Sequence, residues 1–247
     1  MTEPWIFPDW PAPPKVRAAV TTRDGPGVSA PPFARLNLGL NSGDAADAVL
    51  ANRGALQQAL GLPSPPRWLQ QVHGVQVAHL GPLPSTEQPK ADAAVSHLPG
   101  TVLSILTADC LPVLFCAADG SEIGAAHAGW RGLAAGVLES TLADLRAPCG
   151  QVLAWLGPCI GAASYEVGEE VRASFVAHDA GAEMCFVRTR PGHWLCDLAG
   201  LARRRLSAAG VTQIYGGGFD TFTDTRWYSY RRDGARSGRF ASLIWLA

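Results

Sequence analysis

The 247-residue chain sets 20 Lys and Arg against 21 Asp and Glu, with 47% apolar and 17% charged residues. That composition excludes general disorder, and a formal charge of -1 gives no global reason to expect nucleic acid as a partner. The opening Met1-Thr2-Glu3-Pro4-Trp5 lacks a basic segment followed by an apolar run, and no apolar stretch reaches bilayer length. The expectation is a protein of the reducing cytoplasm with no membrane partner, its six cysteines present as thiols. Those cysteines (Cys110, Cys116, Cys149, Cys159, Cys185 and Cys196) include no C-x-x-C pair, which excludes a zinc knuckle or a thioredoxin-like motif.

In chain order, prolines at 4, 8, 11, 13 and 14 predict an extended arm over residues 1–15, followed by a strand at Val16–Thr21. A helix is expected over 45–60, with Asp44 as N-cap, Asp47 in its first turn and Gly61 as its stop. Strands at 68–72 and 75–79 precede a proline-bearing loop at 81–90, and strands at Val102–Thr107, 112–117 and 122–126 follow it. After His127 a helical period aligns Leu133, Val137, Leu138, Thr141, Leu142 and Leu145 before Pro148. A strand at Val152–Leu156 leads to a helix over 165–177, with Val167, Val171 and Phe175 aligned. A last helix runs from Asp197 through Leu198, Leu201, Ala202, Leu206 and Ala209 to Gly210, before a final strand at Phe240–Leu246. Strands outnumber helices and several follow one another directly, so strict βαβ alternation fails. The pattern predicts one α+β domain over residues 1–247, with mixed β-sheets packed together and helices on the outside.

Three expected strand ends carry ligand chemistry: Gln71-Val72-His73-Gly74, Ala108-Asp109-Cys110-Leu111 and His127-Ala128-Gly129-Trp130-Arg131-Gly132. One thiolate with two imidazoles leaves a fourth tetrahedral position open, the pattern of a catalytic zinc site. On spacing alone the signal is weak: Cys110 in an apolar strand is by default core packing, and a His beside Gly is often a turn residue.

The order of motifs supplies more. Gly27-Val28-Ser29, Asn37-Leu38-Gly39, Gly43-Asp44, Asn52-Arg53, the three segments above, Ala91-Asp92-Ala93, Gly157-Pro158-Cys159-Ile160-Gly161, Tyr165-Glu166-Val167-Gly168, Ser229-Tyr230-Arg231-Arg232-Asp233-Gly234 and Gly238-Arg239 span nearly the whole chain. In this order they resemble the YfiH-like family of purine nucleoside phosphorylases, also called laccase-domain or multicopper polyphenol oxidase proteins. The resemblance implies the CNF/YfiH-like fold and a catalytic zinc on His73, Cys110 and His127. It also implies phosphorolysis of adenosine, inosine, guanosine or methylthioadenosine, and deamination of adenosine. The expected partners are therefore small molecules, purine nucleosides and phosphate. Family members carry Cys-Thr shortly before the SYRRD motif, where this chain has Asp220-Thr221.

Deamination needs a carboxylate to move a proton, and Asp109 and Glu166 are the candidates. Phosphorolysis needs an anion site. Arg131, at the helix start beside His127, is the first choice, with Arg53 and Arg232 behind it. Trp68, Trp130 and Trp227 are candidates to stack on a purine. His79, His97, His178 and His193 are read as structural or surface residues. Two other chemistries use the same three ligands. One is a copper polyphenol oxidase, although the chain has no H-x-H pair to build a multicopper cluster. The other is a metal-free hydrolase with Cys110 as nucleophile.

Overall fold

A computed structural model describes residues 3–82 and 88–247. Residues 1–2 of the expected arm and 83–87 of the expected loop lie outside the described residues. The strands are β1 (Trp5–Ile6), β2 (Val16–Thr21), β3 (Val77–His79), β4 (Ala93–Ser96), β5 (Val102–Thr107), β6 (Leu111–Ala117), β7 (Ile123–Ala128), β8 (Val152–Leu156), β9 (Glu166–Gly168), β10 (Phe186–Arg190), β11 (His193–Cys196), β12 (Gln213–Gly216) and β13 (Phe240–Leu246). The helices are α1 (Ala46–Leu60), α2 (Trp130–Ala135), α3 (Val137–Asp144), α4 (Glu169–Val176), α5 (Leu198–Ala208) and α6 (Tyr230–Asp233).

Two sheets lie face to face: a six-stranded one in the order β12-β8-β6-β7-β4-β3 and a four-stranded one in the order β1-β2-β13-β5. Strand periodicity explains how they share a core. In β6 every residue is buried. Leu114 and Cys116 meet Ile105 and Ile244 of the four-stranded sheet, whereas Leu111, Val113 and Phe115 meet the helices α2 to α5 on the opposite face. Strands covered on both sides read as continuous apolar runs, and so β6, β8 and β13 stand out in the sequence. The outer face of the four-stranded sheet is closed by Leu56 of α1 together with Leu36 and Leu38. The order of layers is thus helix, sheet, sheet, helices, the α+β arrangement with outer helices that the pattern predicts. A three-stranded sheet, β10-β11-β9, stands beside these layers.

Several local expectations are corrected. Ala45, not Asp44, caps α1, because the Asp44 carboxylate is engaged by Ser29 Oγ and Asn37 Nδ2; Gly61 does end the helix, left-handed. The helix after His127 is two helices, α2 and α3, because Gly136 at φ 101° breaks the turn between them. The helix expected over 165–177 begins only at Glu169. Its first residues form β9, where Val167 pairs with Trp194 of β11, since strand partners from a distant segment outweigh the local i, i+4 match. The strand expected over 68–72 reduces to one isolated bridge, Gln70 with Lys90, with another, Arg67 with Leu103, just before it. Its last residue, Val72, and the following His73 and Gly74 turn their N–H groups to Asp92 instead of along a ladder. The strand expected from 75 begins at Val77.

Candidate metal centre

Sheet pairing brings the site together at one end of the six-stranded sheet. Antiparallel β6 and β7 pair Leu111 with Ala128, which sets Cys110, just before β6, against the end of β7 that carries His127. Antiparallel β4 and β7 pair Ala93 with Ala126, which sets Asp92 beside the same end, and His127 N donates to Asp92 O at 2.7 Å. His73 arrives from the 73–74 turn, with φ 61°. The ligand atoms of His73, Cys110 and His127 all lie within 4.8 Å of one another. Cys110 Sγ is 3.9 Å from His73 Nε2, and the two imidazoles meet edge to face with centroids 4.8 Å apart.

One carboxylate organises this triad. Asp92, fully buried, accepts from the backbone N–H groups of Val72, His73 and Gly74, the last two at 2.9 and 2.7 Å. It also faces His127 Nδ1 at 2.8 Å. That contact makes Nδ1 the donor and leaves Nε2 as the ligand atom, the usual second contact of a metal-binding histidine. Burial raises the pKa of Asp92, but His127 and the backbone donors outweigh it, and the carboxyl is held below its ordinary value. Burial pushes the Cys110 thiol up, yet His127 and His73 bring it down to about 6. Burial likewise disfavours a charged His127, while Cys110 and Asp92 raise it to about 9. A thiolate and two imidazoles converging in this way are a borderline-soft donor set that fits zinc or copper and is foreign to magnesium or calcium.

Gly129 keeps the ligands close. A Cβ there would lie 2.9 Å from Cys110 Sγ and 3.0 Å from His73 Cδ2. The backbone conformation of Gly129 is ordinary extended, so alanine brings steric pressure without backbone strain. Gly129→Ala is expected to weaken metal retention about tenfold or more in a chelator competition, with a Tm shift below about 4 °C. Unchanged metal retention in this variant would separate the glycine from the triad.

The triad opens into a cavity of about 550 Å³, which Arg53, Asp109, Trp130 and Arg131 also line. Of the two proton-transfer candidates, Asp109 is on this wall, with φ 91° and its carboxylate accepting from Thr221 Oγ1 at 2.7 Å and Arg231 N at 2.6 Å. Glu166 turns away to Arg190 at 2.7 Å and Thr189 at 2.8 Å, and these contacts hold it down to about 2. Arg131 lies over the Trp130 ring. Arg232 is spent on the carbonyls of Thr221, Phe222 and Trp227. Trp227 is fully buried and out of reach of a ligand, and Trp68 covers the Arg53 guanidinium at 4.0 Å; Tyr165 and Tyr230 supply cavity aromatics in their place. Asp220 ties the 161–164 loop to its own, accepting from Gly161 N and Ser164 Oγ across the gap and from Phe222 N locally. Sequence reasoning gave Asp92 no role, and Arg239 and Arg231 were also missed. The available signal was that all three lie inside the family motifs.

Residues 17–247 match the family model described as multi-copper polyphenol oxidoreductase laccase. A Xylella fastidiosa protein named purine nucleoside phosphorylase is 56% identical, over 98% of this chain and 97% of its own length. The Escherichia coli purine nucleoside phosphorylase YfiH is 50% identical over 98% of each chain. Among solved structures, a Neisseria meningitidis protein of the DUF152 family superposes with a TM-score of 0.93 at 43% identity, over 99% of both chains. YfiH of Bacillus licheniformis gives 0.88 at 28% identity, over 94% of this chain and 93% of its own. The chain belongs to this laccase-like family, the one that contains the YfiH-type purine nucleoside phosphorylases. Among the described residues no helix is long and apolar enough to cross a membrane.

Proposed function

We propose that the protein is a zinc-dependent purine nucleoside phosphorylase that also deaminates adenosine. The observation that carries this reading is the convergence of His73, Cys110 and His127 on one point in a cavity with both arginine and aromatic walls. The names of the Xylella and Escherichia relatives support the reaction class. Zinc is favoured over copper because the chain has no H-x-H pair, which a multicopper cluster needs.

In phosphorolysis a phosphate oxygen forms a bond to C1′ of the ribose while the bond from C1′ to the purine nitrogen breaks. The base takes that electron pair and the proton released by phosphate. Arg131 and Arg53 line the cavity and are the cations assigned to phosphate, and Tyr165, Tyr230 and Trp130 offer faces to the base. A zinc ion held by His73, Cys110 and His127 would supply Lewis acidity and lower the pKa of a bound water. Deamination replaces the C6 amino group with a water oxygen and releases ammonia. Asp109, which lines the cavity, is the carboxylate assigned to the proton in this reading, and not the ion-paired Glu166. The substrates are adenosine, inosine, guanosine and methylthioadenosine, and the site of action is the cytoplasm.

The depressed thiol of Cys110 beside two imidazoles also suits a metal-free thiolate hydrolase. One experiment separates the readings: purified protein is incubated with adenosine, with and without phosphate, before and after treatment with a chelator. The expected products are adenine plus ribose 1-phosphate with phosphate, and inosine from deamination, both lost on chelation and restored by zinc. Activity that survives chelation would support the thiolate hydrolase. Stoichiometric copper with a blue absorption band in protein purified without added copper would sink the zinc assignment.

A further inference from the structure

Among the described residues Asp109 is the carboxylate on the cavity wall, and its oxygens accept from Thr221 Oγ1 and Arg231 N. Against it stand the guanidinium groups of Arg53, Arg131, Arg231 and Arg239. Among the described residues none of these four pairs with a carboxylate. Arg131 and Arg231 are exposed and rest on Trp130 and Tyr165, where water screens them. Arg53 and Arg239 are half-buried, and burial lowers the pKa of both, that of Arg53 to about 10; at Arg239 the charges of Cys110 and Asp109 offset the effect only in part. A guanidinium withdrawn from water without a counter-ion is costly unless a ligand completes it.

Both arginines are built onto one strip of backbone. Buried Asn37 accepts from Gly39 N and Arg239 N through Oδ1, and its Nδ2 donates to Ser42 Oγ and Asp44. Buried Asn52 donates to Asn37 O and to Ser29 Oγ, which donates in turn to Asp44. This polar knot fixes the strip whose Gly39, Leu40 and Asn41 line the cavity. Arg53, next to Asn52, sets Nε and Nη2 on Leu38 O at 3.0 and 2.8 Å. Arg239 sets Nη1 on Ser237 O and Gly238 O, and its stem lies so close to Gly39 that a Cβ there would come within 2.6 Å of Cγ. What remains is Nη1 of Arg53 and the Nε and Nη2 edge of Arg239, which have no acceptor among the described residues. The free Arg239 edge is the two-pronged face that matches two oxygens of a tetrahedral oxyanion.

We infer that Arg53 and Arg239 together form the clamp that holds inorganic phosphate, on the cavity wall built from residues 37–41. The inference rests on the phosphorylase reading above and puts Arg239, in place of the exposed Arg131, beside Arg53 as the second phosphate cation. It also unites the motif positions Ser29, Asn37, Asp44 and Asn52 in one role, since together they hold the strip that aims the two guanidinium groups.

The test compares metal-replete wild type with Arg53→Gln, Arg239→Gln and Arg239→Lys. The KM values for phosphate and for adenosine are measured separately, and inorganic phosphate is titrated by calorimetry without nucleoside. Each glutamine variant is expected to raise KM for phosphate roughly 10- to 100-fold, the scale of a charge-assisted hydrogen bond. KM for adenosine should change by less than about threefold on the same scale, and the calorimetric affinity should fall in parallel with KM for phosphate. Arg239→Lys keeps the charge but loses the fork, and should lie between wild type and glutamine; if a glutamine variant fails to fold, this variant carries the comparison. Folded variants with unchanged KM for phosphate, or with equal rises in both KM values, overturn the clamp. So does weakened inhibition by adenosine 5′-monophosphate at unchanged KM for phosphate, since the clamp would then serve a phosphate group on the nucleoside. If wild type releases no base with phosphate, the phosphorylase reading falls, and the titration decides the clamp alone. Phosphate binding that is lost in both glutamine variants upholds it, and binding that persists in them overturns it.

Discussion

Cys110→Ala and His127→Ala proteins are expected to fold and to lose phosphate-dependent release of purine base, together with their bound metal. Each removes one of the three donors found among the described residues, and the remaining pair cannot define a tetrahedral site. The two variants should differ in stability. Cys110 is half-buried in the turn between β5 and β6 and packs as a small side chain, so its loss leaves little behind. His127 is 3% exposed and faces Asp92 Nδ1 to Oδ1 at 2.8 Å, so its removal strips a buried carboxylate of one of its partners. A Tm loss of several degrees is expected for His127→Ala and a smaller one for Cys110→Ala, by the usual scale of about 2–4 °C per kcal/mol for chains of this size. Base release by chromatography and zinc content by mass spectrometry check the pair. A folded variant that turns over nucleoside at the wild-type rate removes the triad from the chemistry.

Asp92→Asn is expected to damage stability and metal binding at once. The carboxylate accepts from three backbone N–H groups and from His127 Nδ1. A carboxamide presents two hydrogens where one oxygen stood, so at least one buried donor faces another donor. Breaking such a buried charged contact costs about 3–5 kcal/mol, which predicts a Tm lower by about 10 °C or more. The 73–74 turn loses its anchor in the same step, and metal affinity should fall roughly 10- to 100-fold, the usual effect of deleting an outer partner of a metal-binding histidine. The pH dependence has a definite sign. The folded carboxyl is held below its unfolded value, so its contribution is present above about pH 4, the ordinary aspartate pKa, and is lost as pH falls through the folded pKa. Thermal melts from pH 3 to 7 should therefore rise more steeply with pH in wild type than in Asp92→Asn, and parallel curves would sink the assignment.

The layered α+β architecture and the triad were legible in the sequence because their signals are local. β8 is a continuous apolar run, β6 and β13 are broken only by Pro112 and Ser242, and His73, Cys110 and His127 sit in compact motifs that carry the family resemblance. What escaped depends on distant partners. β9 carries a valine at helical spacing from α4 and becomes a strand only because β11 lies beside it. β10 is exposed at four of its five positions, so it has no apolar alternation to announce it. Asp92 reads as a single acidic residue before a strand, and its role exists only once residues 72–74 fold back onto it from 18 to 20 positions away. Arg239 likewise acquires a meaning from Asn37, some 202 residues earlier.

The anchoring of residues 72–74 through their amide groups has a consequence for how the protein tolerates change. Asp92 grips main chain, while the Val72 side chain points outward and is 40% exposed. Position 72 is therefore free to drift in chemical character, to polar, charged or small residues, without moving the imidazole that follows it. Proline is the exception, since it alone lacks the N–H that Asp92 holds.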